Sequence, residues 1–115
     1  MEQEYESEIK RGNFVKALYL SKDLSTSEVD VNYIAERALW EVSGIGRNFY
    51  ATKRLAQELG YTKEELKNIL VSIMKKEEKS GNKKMLGPCY DYNTGRYLSF
   101  EKWLEYLLKE WNKIN

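Results

Sequence analysis

The chain of 115 residues has no histidine, one cysteine and one proline. Without histidine there is no His-dependent catalytic triad, no imidazole acid–base chemistry and no route to most zinc sites. With Cys89 alone, neither an internal disulfide nor a thiolate metal cluster can form. Cys89 follows Pro88 in an apolar and aromatic stretch with no imidazole nearby to activate it, and it reads as a small packed residue rather than a nucleophile. No stretch approaches the roughly 18 uninterrupted apolar residues of a membrane span. The opening residues, Met1-Glu2-Gln3-Glu4, are polar and acidic, unlike a secretory signal or a basic transit peptide. The expectation is a soluble cytoplasmic protein with no metal and no cofactor. Any catalysis would rest on carboxylates, Lys or Tyr, and no carboxylate pair stands at a meaningful spacing. A non-enzymatic role is expected.

What is present is core material and unevenly placed charge. Apolar residues make up 42% of the chain, and nine Tyr, three Trp and three Phe are bulky enough to fill one hydrophobic core. The length suits one domain. The net charge of +1 conceals a gradient. Residues 1–46 carry nine acids and five bases, residues 47–84 carry ten bases and five acids, and residues 85–115 carry four of each. A basic middle beside an acidic N-terminal part directs attention to residues 47–84, although a solvated helix surface would give the same count.

Periodicity divides the chain. Tyr5, Ile9, Phe14, Ala17 and Leu18 predict helix from Glu2 to Leu24, with a break at Gly12-Asn13. Val31, Ile34, Ala35, Ala38, Leu39 and Val42 form one apolar stripe, so a helix is expected from about Asp30 to Val42. Ser43-Gly44-Ile45-Gly46 should end it, a glycine taking the left-handed position past the C-terminus. A short helix is expected over Asn48–Leu59, stopped by Gly60. Thr62 and Glu65 have the spacing of a capping box for a longer helix with the stripe Leu66, Ile69, Leu70 and Ile73. Aromatic alternation through Tyr90 and Tyr92, the turn signal Asn93-Thr94-Gly95, and Arg96-Tyr97-Leu98 predict a β-hairpin with a three-residue loop. Its tyrosines are expected chiefly to pack one face on the core, with a stacking platform for single strands as the alternative. Ser99 should cap a last helix whose apolar face runs from Phe100 to Ile114.

The window from Thr52 to Leu70 is the informative one. Where two helices cross closely, the first needs a small residue, and Ala56 supplies it. Four residues later Gly60 can turn tightly, and six further on Leu66 can lock the second helix onto the first. On these residues, with a helix before them and a hairpin after them, the chain resembles the winged helix-turn-helix superfamily of nucleic-acid-binding domains. The resemblance covers roughly Val31 to Leu98. It implies a mainly α (α+β) fold: a winged helix-turn-helix with extra N-terminal and C-terminal helices and one β-hairpin. Residues 1–30 would be a helical extension, 31–98 the core and 99–115 a C-terminal helix. It further implies a double-stranded DNA partner, with helix 62–76 in the major groove and hairpin 84–98 on the backbone.

With the apolar stripe turned inward, the opposite face of helix 62–76 carries Glu64, Lys67, Asn68, Val71 and Lys75, with Ser72 nearby. Asn68 can pair with adenine, Lys67 with guanine acceptors and Val71 with a thymine methyl. Lys53, Arg54, Lys63, Lys83, Lys84 and Arg96 suit phosphates. Glu64 and Glu65 stand against this reading unless they serve the helix N-terminus or a cytosine amine. The expected function is a small sequence-specific DNA-binding protein and regulator of transcription. The rival is a protein-interaction module, either a winged-helix adaptor or a helical-repeat scaffold. For the scaffold, Asn13-Phe14 to Leu24 aligns with Asn48-Phe49 to Leu59 at a 35-residue offset, close to helical-hairpin repeats. A homodimer is also expected, joined through Phe100, Trp103, Leu104, Leu107 and Trp111, the alternative being that this helix packs on its own domain.

Overall fold

The computed structural model describes residues 2–21, 28–81, 86–92 and 94–114. Helix dominates, with one two-stranded antiparallel sheet. In chain order the elements are α1 (Glu2–Lys10), α2 (Phe14–Ser21), α3 (Glu28–Trp40), a π-helical turn (Glu41–Ile45), α4 (Phe49–Glu58), α5 (Lys63–Lys79), β1 (Cys89–Asp91), β2 (Arg96–Leu98), α6 (Phe100–Lys109) and a short 3-10 turn (Trp111–Lys113). Two compact units divide between Glu41 and Val42. The division falls within the π-helical turn that follows α3.

In the first unit α1 packs on α2 and α2 on α3. Tyr5, Ala17, Leu18, Ile34, Ala35, Ala38 and Leu39 are buried, the period expected of amphipathic helices. Gly12, at φ 80°, separates α1 from α2. The buried Glu8 carboxylate fixes the junction: it accepts from Asn13 Nδ2 at 2.7 Å and faces Lys16 and Arg11 at 3.4 and 3.6 Å. The Asn13 hydrogen bond, helped by both cations, holds the Glu8 carboxyl below its usual pKa. Glu41 caps α2 by accepting from the Phe14 N–H at 2.8 Å.

In the second unit Phe49, Leu55, Ala56, Leu66, Leu70, Ile73, Leu98, Phe100, Trp103, Leu104 and Leu107 are buried. Helix α6 packs on α5 and β2. Asn48 caps α4 by accepting from Ala51 N–H, and Ser99 caps α6 by accepting from Lys102 N–H. The strands pair Cys89 with Leu98, Tyr90 with Tyr97 and Asp91 with Arg96, and Asn93 of the expected three-residue loop lies outside the described residues. Asp91 is consumed at its start, its Oδ2 accepting from Thr94 N–H and its carbonyl from Gly95 N–H, both at 2.8 Å.

The 35-residue offset has a structural counterpart. Helices α2 and α4 start at Phe14 and Phe49, and α3 and α5 start at Glu28 and Lys63. Each helix pair therefore begins in the same phase.

Candidate nucleic-acid interface

The α4–α5 connection follows from four residues. At the end of α4, Gly60 N–H donates to Gln57 O at 3.0 Å and Tyr61 N–H to Ala56 O at 2.9 Å, which closes the free carbonyls of the last turn. That closure needs a left-handed residue, and Gly60 provides it at φ 80°. Thr62 then opens α5 with a complete capping box: Thr62 Oγ1 accepts from Glu65 N–H at 3.1 Å, and Glu65 Oε1 accepts from Thr62 N–H at 2.9 Å. The Thr62 bonds hold the Glu65 carboxyl below its usual pKa. One of the two acids at the start of α5 is thus spent on the helix itself.

Along α5 the buried side chains are Leu66, Leu70, Ile73 and Glu77. Lys63, Lys67, Asn68, Ser72 and Lys75 are exposed, and Val71 is half-buried at the edge of that face. Lys63, Lys67, Val71, Lys75 and Lys79 recur every four residues and form one row along the helix, rising about 6 Å per step. Among the described residues, no ion pair holds Lys63, Lys67 or Lys75. Val71 divides the row into two neighbouring like-charge pairs, Lys63 with Lys67 and Lys75 with Lys79.

The other expected phosphate residues fare differently. Arg54 is exposed but engaged, donating to Glu58 Oε1 at 3.2 Å and to the Tyr50 hydroxyl at 3.4 Å, and both bonds raise its pKa. Lys53 does not face solvent freely. Its Nζ donates to Trp111 O at 2.6 Å and Ile114 O at 2.7 Å and lies 5.4 Å from the centre of the Trp111 ring. It anchors the C-terminal segment. Arg96 is exposed on β2. Lys83 and Lys84 lie outside the described residues.

The expected dimer contacts are corrected by burial. Phe100, Trp103, Leu104 and Leu107 are between 0 and 5% exposed, and Trp111 is half-buried beneath Lys53. Phe100 stacks on Trp103 at 5.8 Å, and Phe49 packs against the same indole at 5.1 Å with its ring tilted by 46°. Phe100, Trp103, Leu104 and Leu107 are therefore spent on the chain's own core, and only Trp111 of the expected contacts keeps partial exposure.

Two further expectations are reversed at the hairpin. Cys89 is exposed, not packed, because it opens an edge strand. Tyr90, Tyr92 and Tyr97 face outward at 44, 91 and 72% exposure, while Asp91 and Leu98 turn inward. Each strand reads exposed, exposed, buried from its first residue, so the tyrosines lie outward and only the last residue of each strand meets the core.

The residue that composition hid is Arg47. The left-handed position after the π turn belongs to it (φ 49°), not to Gly44 or Gly46. Its Nε donates to Gly44 O at 2.9 Å, Nη1 to Leu98 O at 3.0 Å and Nη2 to Gly87 O at 3.2 Å. The guanidinium also lies 5.3 Å from the centre of the Phe100 ring. Burial lowers its pKa, and three carbonyls replace the lost water. Nothing in a run of counted bases distinguishes this arginine; the only local signal was the failure of a glycine to follow Gly46.

Two clefts open on the second unit. One, of about 780 Å³, is lined by Tyr50, Tyr90, Tyr92, Tyr106, Glu110 and Lys113 among others. The second, of about 520 Å³, is lined by Arg96, Tyr97, Lys102, Glu105, Tyr106 and Lys109 among others. Among the described residues, no cluster of His, Cys, Asp and Glu has the makings of a metal site, and no helix is long and apolar enough to cross a membrane. No family model, curated protein or solved structure matches this chain.

Proposed function

We infer that the chain is a non-enzymatic nucleic-acid-binding protein, a small regulator of transcription that lays α5 against double-stranded DNA. The observation that carries this reading is the exposed face of α5. It presents unpaired lysines and Asn68 behind a tight glycine turn, with its acid Glu65 already committed to the cap. Lys63 and Lys75 give phosphate contacts, Lys67 donates to guanine acceptors and Asn68 pairs with adenine. Val71, at the edge of the face, touches a thymine methyl. The resemblance to winged helices supports the same docking, with Arg96 of the hairpin reaching the backbone.

Single substitutions separate reading from anchoring. Asn68→Ala is expected to cost roughly 1–3 kcal/mol on a selected site and to relax its sequence preference, while Lys63→Ala weakens all duplexes alike. Equal, sequence-blind losses from both would mean that α5 is not the reader. One feature favours a protein partner instead: Glu64 stays exposed at the start of α5, where a phosphate would be repelled. A protein-interaction module would show as loss of a partner on Glu64→Lys with no gain in duplex affinity.

A further inference from the structure

The outer face of the hairpin has no part in the duplex reading, and the exposure of its tyrosines turns attention to the alternative role as a stacking platform. Tyr90 and Tyr97 are register partners and so share one face of the hairpin, and Tyr92, just past the end of β1, joins them through its ring contact with Tyr90. Their rings meet edge to face around Tyr90, with centroids 5.0 Å apart for Tyr92 and 5.3 Å for Tyr97. That geometry fixes the rings against one another and leaves Tyr92 and Tyr97 largely in solvent. Clustered exposed aromatics of this kind mark binding surfaces more often than chance.

Charge selects the occupant. The cleft beside Tyr97 carries Arg96, Lys102 and Lys109 against one acid, Glu105, which pairs with Lys102 at 3.4 Å. The cleft beside Tyr90 and Tyr92 is nearly balanced: Lys113 pairs with Glu110 at 3.3 Å, and Arg47 and Asp91 are turned to backbone groups. Tyr106 lines both clefts. Rings rigidly offered next to a cationic trough suit a polyanion that carries flat groups at short intervals. A duplex hides those groups in its own stack, whereas a single strand presents them.

We propose that this face binds single-stranded nucleic acid, with bases stacking on Tyr92 and Tyr97 and phosphate oxygens accepting from Arg96 and Lys109. The site takes a different form of nucleic acid from the one proposed for α5 and shares only Arg96 with that reading, so variants of Tyr92, which has no part in the duplex reading, separate the two. It is sequence-tolerant, because every base offers a ring face and no base-edge donor or acceptor is required.

The test is fluorescence anisotropy of the full chain with end-labelled homopolymers of about 12 nucleotides, oligo(dT) and oligo(U) in separate arms. Binding in either arm is expected, and the stronger arm identifies the strand. Tyr92→Ala should weaken it by about tenfold, Tyr92→Phe should retain it, and Arg96→Gln should lower the slope of log affinity against log salt by about 0.7. These exposed positions leave the fold intact, which unchanged thermal unfolding verifies. Lys67→Ala on α5 should leave single-strand binding unchanged. Absence of binding in both arms overturns the proposal, as does equal loss from Tyr92→Phe and Tyr92→Ala. Competition by free mononucleotide at concentrations matching the oligomer would also overturn it, since the site would then take a small ligand.

Discussion

The indole N–H of Trp103 donates to the carbonyl oxygen of Arg47 at 3.2 Å, while the Arg47 guanidinium reaches Leu98 O at 3.0 Å. The same arginine therefore receives α6 through its backbone and holds β2 through its side chain. A positive φ at a non-glycine residue is tolerated because so many bonds determine the site. Replacing Arg47 with Ala leaves several carbonyls without their donors and should destabilise the protein by about 3 kcal/mol or more. Arg47→Lys should lose most of that as well, because one ammonium cannot span the fork. Denaturant midpoints measure both; a Lys variant within about 0.5 kcal/mol of the parent would contradict the account of this residue.

Gly60→Ala tests the turn. A Cβ there meets no atom within 4 Å, so only backbone strain at φ 80° is in play. The expected cost is about 1–2 kcal/mol, and less for Gly60→Asn, which tolerates the left-handed region better. Equal stability of the parent and both variants would contradict it.

Acid should unlock the first unit through Glu8. Its carboxyl is held below the usual range by Asn13 first and by Lys16 and Arg11 after it. A depressed folded-state pKa contributes stability that is present above the unfolded value and is lost as pH falls through the folded value. Stability of the parent should therefore fall over the pH range below the ordinary glutamate pKa. Glu8→Gln, which cannot titrate, should be less stable at neutral pH and flatter over that range. Parallel pH profiles for the two proteins would exclude Glu8 as a contributor.

Lys53 separates anchoring from phosphate contact. Lys53→Met removes the donor to Trp111 O and Ile114 O. It should cost about 1 kcal/mol and speed amide exchange in residues 111–114, while leaving the salt dependence of duplex binding unchanged. A salt slope reduced by about 1 would place this lysine on a phosphate instead.

Much of this fold was legible because local rules and tertiary packing agree. The stripes Ile34–Leu39, Leu66–Ile73 and Phe100–Leu107 are buried as their period requires, and Asn48, Thr62 and Ser99 cap the helices that follow them. The errors lie where pattern fixes a period but not a phase or a partner. In the hairpin the pairing was legible but the inward face was not, because only Leu98 and Asp91 are buried there, Asp91 serving its own turn. The apolar stripe of α6 reads equally as interface or core, and α5 with β2 settles it as core. Arg47 and Lys53 were invisible as structural residues because their acceptors are backbone carbonyls; for Lys53 these lie 58 and 61 residues away. At the candidate site the α5 face was read from 3.6-residue periodicity alone, which is why its lysines and Asn68 emerge on the expected side.

The salt dependence of binding to a mixed-sequence duplex bears most directly on the role of α5. If the helix lies along the duplex with about four to six phosphates engaged, log affinity should fall with log salt at a slope of about −4 to −5. Lys67→Ala, which on this reading faces guanine acceptors, should lower affinity for guanine-containing sites more than for sites lacking guanine. No detectable binding to duplex at low salt, or binding with a slope that is flat in salt, would contradict the assignment of α5 as a DNA-docking helix.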